Sequence, residues 1–199
     1  SDVYKRQMQW LHDEEAKPES ERDPALATMT LEQYRNFKKR EAERIAEILG
    51  VEELLFLGWV DQEVEFSRDK VAEICEIILR VRPDIIISHL PTGMGDVEDD
   101  HPIVGQITMS AVRMAANRVT RFDGVAPHRV KQVFFSFAGG EELNSRNVFG
   151  GGIVPDVWID TSPVIEKKVH AIDQLVSQGY QEQCARWIVE ARDLSLIHI

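Results

Sequence analysis

Cysteine is scarce: Cys75 and Cys184 are the only two in 199 residues. Two thiols so far apart make neither a CxxC metal pair nor the dense disulfide framework of a small secreted domain. Cys75 falls in the apolar stripe Val71, Ile74, Cys75, Ile78, which marks it as a buried, reduced thiol in a cytoplasmic protein. Long apolar runs are also missing. Nothing approaches the roughly 20 residues that a bilayer span needs, and the opening residues lack the basic and apolar regions of a secretory signal. Positive charge is in deficit, with 23 Lys and Arg against 34 Asp and Glu and a formal net charge of −11. A surface of that sign repels phosphate backbones and anionic lipid heads, so nucleic acid and membranes are excluded as expected partners. Trp10, Trp59, Trp158 and Trp187 form no stacking series and are expected in the core. Gly150, Gly151 and Gly152 are followed by neither the Lys nor the Ser/Thr of a phosphate loop. No internal repeat is visible.

What is present is enough apolar residue, 43%, for a single core flanked by amphipathic helices. One domain over residues 8–193 is expected, with residues 1–7 and 194–199 resembling translated adapter sequence rather than native chain. Residues 8–29, polar and punctuated by Pro18 and Pro24, read as a surface loop. Thr30 with Gln33 makes a capping box at the start of a helix that Gly50 stops. The run 54–57 reads as a buried strand. Ser67 opens a second helix that must end before Pro83. Residues 84–88, apolar almost throughout, read as a strand covered on both faces of a parallel sheet. A helix over 102–117 follows, then a strand at 130–136, a Gly-rich stretch through 144–152 and a strand at 156–160. Asp160, Thr161 and Ser162 read as a helix entry, with Pro163 at the first position of a helix reaching residue 177. A last helix spans 180–192.

Strands alternating with helices of this length predict an α/β fold, a three-layer sandwich around a mostly parallel sheet. In such folds ligands bind in loops at the carboxyl ends of strands, which directs attention to residues 89–101. That stretch holds two glycines and four acids between His89 and His101, and it ends in Glu98-Asp99-Asp100-His101. Carboxylates and an imidazole at a strand-to-helix loop suit a metal or a polar substrate. The plainer reading is an acidic helix start stabilised by the helix dipole. His128 beside Pro127 and His170 on a helix read as structural or surface residues.

Several segments, in order, resemble the PIG-L/LmbE-like family of zinc-dependent N-deacetylases. They are Arg40-Glu41-Ala42-Glu43 with Leu49-Gly50-Val51, then Phe56-Leu57-Gly58 leading to Asp61, then Arg82-Pro83-Asp84 through His89. Asp100-His101 resembles the end of the family's HxDH motif. Residues 156–160 with Lys167-Lys168 and Ser177-Gln178 resemble its closing strand and helix. The resemblance covers roughly residues 30–180 and implies a Rossmann-like sandwich, here incomplete at the N-terminus.

It also implies a site. The family holds Zn2+ with the His and second Asp of an N-terminal HPDDE-type motif and with the last His of HxDH. His101 takes the place of that third metal ligand, and Asp100 that of the motif aspartate, which orients neighbouring imidazoles. No HPDDE-type motif is found; His12 in Leu11-His12-Asp13-Glu14-Glu15 resembles it only superficially. Glu98 stands where the family has the first His of HxDH, and a carboxyl there serves as an acid only with its pKa raised by burial. His89, at the end of the preceding strand, is the candidate to supply the missing imidazole. The implied activity is a zinc-dependent hydrolase that removes an N-acetyl or similar N-acyl group from a small polar molecule such as an amino sugar conjugate. Two alternatives accompany it. One is a metal-dependent hydratase or lyase of an unsaturated dicarboxylic acid, with Arg146 as a carboxylate-binding residue; the other is a binding protein without a metal site. The sequence leaves a homo-oligomer open.

Overall fold

The structure is a computed structural model and describes residues 29–61, 63–92, 100–118, 122–136, 157, 159–178, 180 and 183–189. Among them are five α-helices and two strands: α1 Leu31–Leu49, α2 Arg68–Val81, β1 Ile85–His89, α3 Asp100–Ala115, β2 Gln132–Ser136, α4 Ile165–Ile172 and α5 Gln183–Val189. The chain divides into two compact units. One is Gly58–Ile153; the other joins Ser1–Leu57 to Val154–Ile199.

In the unit Gly58–Ile153, the Ser67 hydroxyl accepts from the Lys70 backbone N–H at 3.2 Å and opens α2 as its composition predicts. Val71, Cys75 and Ile78 recur along one face of α2 and are buried. They meet Ile107, Ala111 and Ala115 of α3, with Val64 alongside, in one apolar cluster. Each large aliphatic side chain buried there contributes about 1.5–3 kcal/mol. Helix α2 ends at Arg82, the one described non-glycine residue with positive φ, 53°. A left-handed residue costs about 1–2 kcal/mol. Its guanidinium offsets that cost by donating to the Ala126 and Pro127 carbonyls, both at 3.2 Å. Pro83 then forces the chain out of helix and into β1.

Strands β1 and β2 pair in parallel, Ile85 opposite Gln132 through His89 opposite Ser136. The sheet is a small parallel one within a mixed α/β fold. The expected cover on both faces of β1 is not found. Ile86 packs against the core, whereas Ile85 is 55% and Ile87 69% exposed. The reason is the two-residue alternation of a strand: among the described residues, only the face carrying Ile86 and Ser88 has helices packed on it.

In the other unit, the Thr30 hydroxyl accepts from the Gln33 N–H and the Gln33 side chain accepts from the Thr30 N–H, the capping box read from the sequence. Gly50, at φ 78°, closes α1 in the left-handed conformation. Lys167 donates to the freed Leu49 carbonyl at 3.0 Å. Residues 54–57 do not form the expected strand, and Leu54, Leu55 and Phe56 are 40–48% exposed. An apolar run becomes a strand only where a neighbour supplies a hydrogen-bonding edge, and no described residue does so here. Residues 157, 159 and 160 likewise carry no strand, with Ile159 72% exposed; residues 156 and 158 lie outside the described set.

The predicted helix over 163–177 is broken into a 3-10 turn at Ser162–Val164, then α4, then a second 3-10 turn at Val176–Gln178. The α-helical pattern stops after Asp173: the Gln174 and Leu175 N–H groups donate to carbonyls three residues back, at Ala171 and Ile172, and the Ser177 N–H beyond them donates to Glu41 at 2.7 Å. The entry is as expected, with Pro163 in the first turn and the Asp160 carboxyl accepting from the Ser162 N–H at 2.9 Å. Trp59 packs against the apolar cluster, but Trp187 is 64% exposed, against the expectation of a core residue. Trp10, Trp158, the Gly-rich stretch 144–152 and Arg146 lie outside the described residues. Among the described residues, no helix is long and apolar enough to cross a membrane.

Candidate active site

The site is built where β1 ends and α3 begins, both within Gly58–Ile153. His89 is the last residue of β1, and His101 lies in the first turn of α3 with Pro102 after it. Proline is tolerated there because first-turn N–H groups have no partner within the helix. The two imidazoles meet edge to face, with ring centroids 4.6 Å apart and planes at 83°. His89 is half-buried and His101 is exposed, on the edge at which β1 ends.

Asp100 opens α3, where the positive end of the helix dipole favours an acid. Its Oδ1 accepts from the Val64 backbone N–H at 3.2 Å. Val64 is itself part of the apolar cluster, so the aspartate is held from the core side. The segment before α2 is braced in turn: Trp59 donates from its indole N–H to Glu73 at 2.9 Å, and Lys70 lies over the Trp59 ring.

Two further contacts hold α3 to β1. The Ser88 hydroxyl donates to Thr108 Oγ1 at 3.1 Å, while the Thr108 hydroxyl donates to the Val104 carbonyl at 2.8 Å. Gln106 donates to the Pro91 carbonyl at 3.0 Å. Sequence reasoning missed Ser88, Gln106 and Thr108 as supports. The available signal was Thr108, a hydroxyl in the middle of an otherwise apolar helical face.

The structure thus brings together three of the residues singled out from the sequence, His89, Asp100 and His101. Glu98 and His12 lie outside the described residues. The histidines read as structural are so placed: the His128 ring donates to the Pro83 carbonyl at 2.7 Å, and His170 is exposed on α4. Cys75 is fully buried and free, and burial pushes its thiol pKa up.

Imidazole is a donor that zinc favours. The His89–His101 pair fits that chemistry in kind. In number it covers part of a site, since no three His, Cys, Asp or Glu among the described residues are grouped to hold a metal.

Comparison with known proteins agrees with the sequence resemblance. Diacetylchitobiose deacetylase from Thermococcus kodakarensis is 27% identical over 162 residues. The match takes in 79% of this chain and 55% of that protein, so the chain spans about half the length of this relative. The crystal structure of the conserved protein TT1542 from Thermus thermophilus superposes with a TM-score of 0.61 at 21% identity, over 79% of this chain and 63% of that one. This is a likeness of fold. The family model PIG-L, described as GlcNAc-PI de-N-acetylase, matches residues 10–112. That span exceeds half of the chain and contains the whole of β1, the His89–His101 pair and most of α3, and it places the chain in the PIG-L family.

Proposed function

We propose that the chain acts as a zinc-dependent hydrolase that removes an N-acetyl or similar N-acyl group from a small polar substrate such as an amino sugar conjugate. The observation that carries this reading is the His89–His101 pair at the carboxyl end of β1, inside the segment that the PIG-L family model matches. A relative named for deacetylating diacetylchitobiose supports an amino sugar as the substrate class. The scaffold we infer is a Rossmann-like three-layer sandwich, working in the cytoplasm without nucleic acid or membrane partners and open to self-association.

His101 would hold the zinc, with His89 the next candidate donor. Bound there, zinc supplies a Lewis acid that polarises the amide carbonyl. Asp100, held by the Val64 N–H, ties the start of α3 to the segment before α2 and would orient the neighbouring imidazole. Where His89 is not a ligand, it would be the candidate to give a proton to the leaving amine nitrogen. The hydratase alternative turns on Glu98 and Arg146, both outside the described residues, and on residues 133–137 and 156–160, which resemble that branch.

The test uses the full-length protein, with zinc content and turnover measured on a panel of N-acetylated sugars and unsaturated dicarboxylates. His101→Ala is expected to lose both metal and turnover. His89→Ala as a proton donor retains metal and loses about 10²–10⁴-fold in turnover; as a ligand it loses metal too. His170→Ala leaves both unchanged. A His101→Ala protein that kept metal and turnover would overturn the reading.

A further inference from the structure

Glycine inside a helix costs about 0.5–1 kcal/mol relative to alanine, so a buried one implies a compensating contact. Gly105 lies in the interior of α3 and is buried. A Cβ placed on it would overlap the His89 carbonyl oxygen and lie 2.9 Å from both the nitrogen and the Cα of Pro91. All three are backbone atoms at or just past the end of β1, so no rotamer change relieves the overlap. The helix and the strand end approach as closely as they do only because position 105 bears a hydrogen.

That closeness bears on the site. Gly105 follows His101 by four residues, one turn along the same face of α3. The carbonyl it faces belongs to His89, whose ring meets His101 at 4.6 Å. We propose that Gly105 is a positioning residue for the two-imidazole site: by letting α3 approach the end of β1, it sets the His101 ring against the His89 ring. The tethers Gln106 to Pro91 and Ser88 to Thr108 hold the helix in place. The missing side chain at 105 determines how near it comes. Gly105→Ala must shift either α3 or the 89–91 backbone, because overpacking a filled interface moves backbone. A misplacement on the order of 1 Å at a catalytic pair costs about 10²-fold in rate. The significance of the pair rests on the proposed function; the geometric claim does not.

The experiment is NMR on isotope-labelled protein, reading the nuclear Overhauser contact between the His89 and His101 rings. Gly105→Ala is expected to lose that contact while contacts among Cys75, Ile78 and Ile107 persist. Gln106→Ala, which removes a tether without adding volume, is expected to keep it. A folded Gly105→Ala protein with the ring contact intact overturns the proposal. So does its loss in Gln106→Ala, which would make the tether decisive; if Gly105→Ala does not fold, the Gln106→Ala result alone decides in the same sense. Turnover on N-acetylated sugars, measured in parallel, separates the two claims. Ring contacts that behave as expected in a full-length protein without turnover sink the proposed function and leave the role of Gly105 standing.

Discussion

The two compact units have interiors of different chemistry. Among the described residues of Gly58–Ile153 the buried side chains are Val64, Val71, Ala72, Cys75, Ile78, Ile107, Ala111 and Ala115, with Thr108 the one polar side chain among them, and it is hydrogen-bonded. Among the described residues of the other unit the buried apolar ones are small, Ala46, Ala171 and Ala185 with Val189, and Glu41, 1% exposed, is buried as well. Both Glu41 oxygens are taken, one by the Ser177 N–H and one by the Ser177 hydroxyl, each at 2.7 Å. The first interior is held by area removed from water, which is non-directional and tolerates small shifts. The second depends on a hydrogen-bonded carboxyl group, which is specific in geometry and costly when half satisfied. The candidate site stands on the first kind, and its helix and strand are fixed by packing on both sides of the loop that joins them.

The largest expected effect is in the apolar interior. Ile107→Ala removes a fully buried side chain at the meeting of α2 and α3, and should cost about 2–5 kcal/mol. Chemical denaturation of the variant checks this. A cost below that of Ile86→Ala, at the half-buried edge of the cluster, would show that the interior is not the packed core described.

The buried carboxyl comes next. Glu41→Ala leaves the Ser177 N–H and hydroxyl without their acceptor, at about 1–3 kcal/mol. Glu41→Gln keeps an acceptor for the N–H and turns an NH₂ toward the hydroxyl oxygen, so it should cost less. Exposed Glu43, two residues on in α1, is the control. If Glu41→Ala were no more destabilising than Glu43→Ala, the contrast between the units would collapse.

That contrast also separates what could be read from the sequence from what could not. The helix boundaries at Thr30, Gly50, Ser67 and Pro83 were legible because caps and stops act through atoms within four residues. Strand 85–89 and its parallel partner were legible from short apolar runs, Ile85–Ile87 and Val133–Phe135, separated by a helix. The expected strand at 54–57 failed because an apolar run carries no information about whether an edge will be offered to it. The Ser177 contact to Glu41 was illegible for a similar reason, since the two lie 136 residues apart. At the site, residue type and order located His89, Asp100 and His101. The Val64 N–H that holds Asp100, and the backbone crowding at Gly105, carry no side-chain signature.

The smallest effect concerns the surface of the unit with the polar interior. Glu166 accepts from Arg186 at 2.6 Å, between α4 and α5, and both side chains are largely exposed. The hydrogen bond from Arg186, and then its charge, hold the Glu166 carboxyl below its ordinary value of 4.5. A folded-state pKa below the unfolded one means that the unfolded chain takes up protons first as the solution is acidified. The contribution of the pair is therefore complete above the ordinary glutamate value and is lost as pH falls through the depressed one. Asp160, lowered by hydrogen bonds from the Ser162 side chain and then its backbone, shares the same acid window. Glu166→Gln should thus flatten only part of the acid-side decline in thermal stability, and because the pair is exposed, added salt should shrink the difference between variant and wild type. Melting curves across the acid range at low and high salt measure both, and superimposable profiles at low salt would show that the ion pair contributes nothing to holding α4 and α5 together.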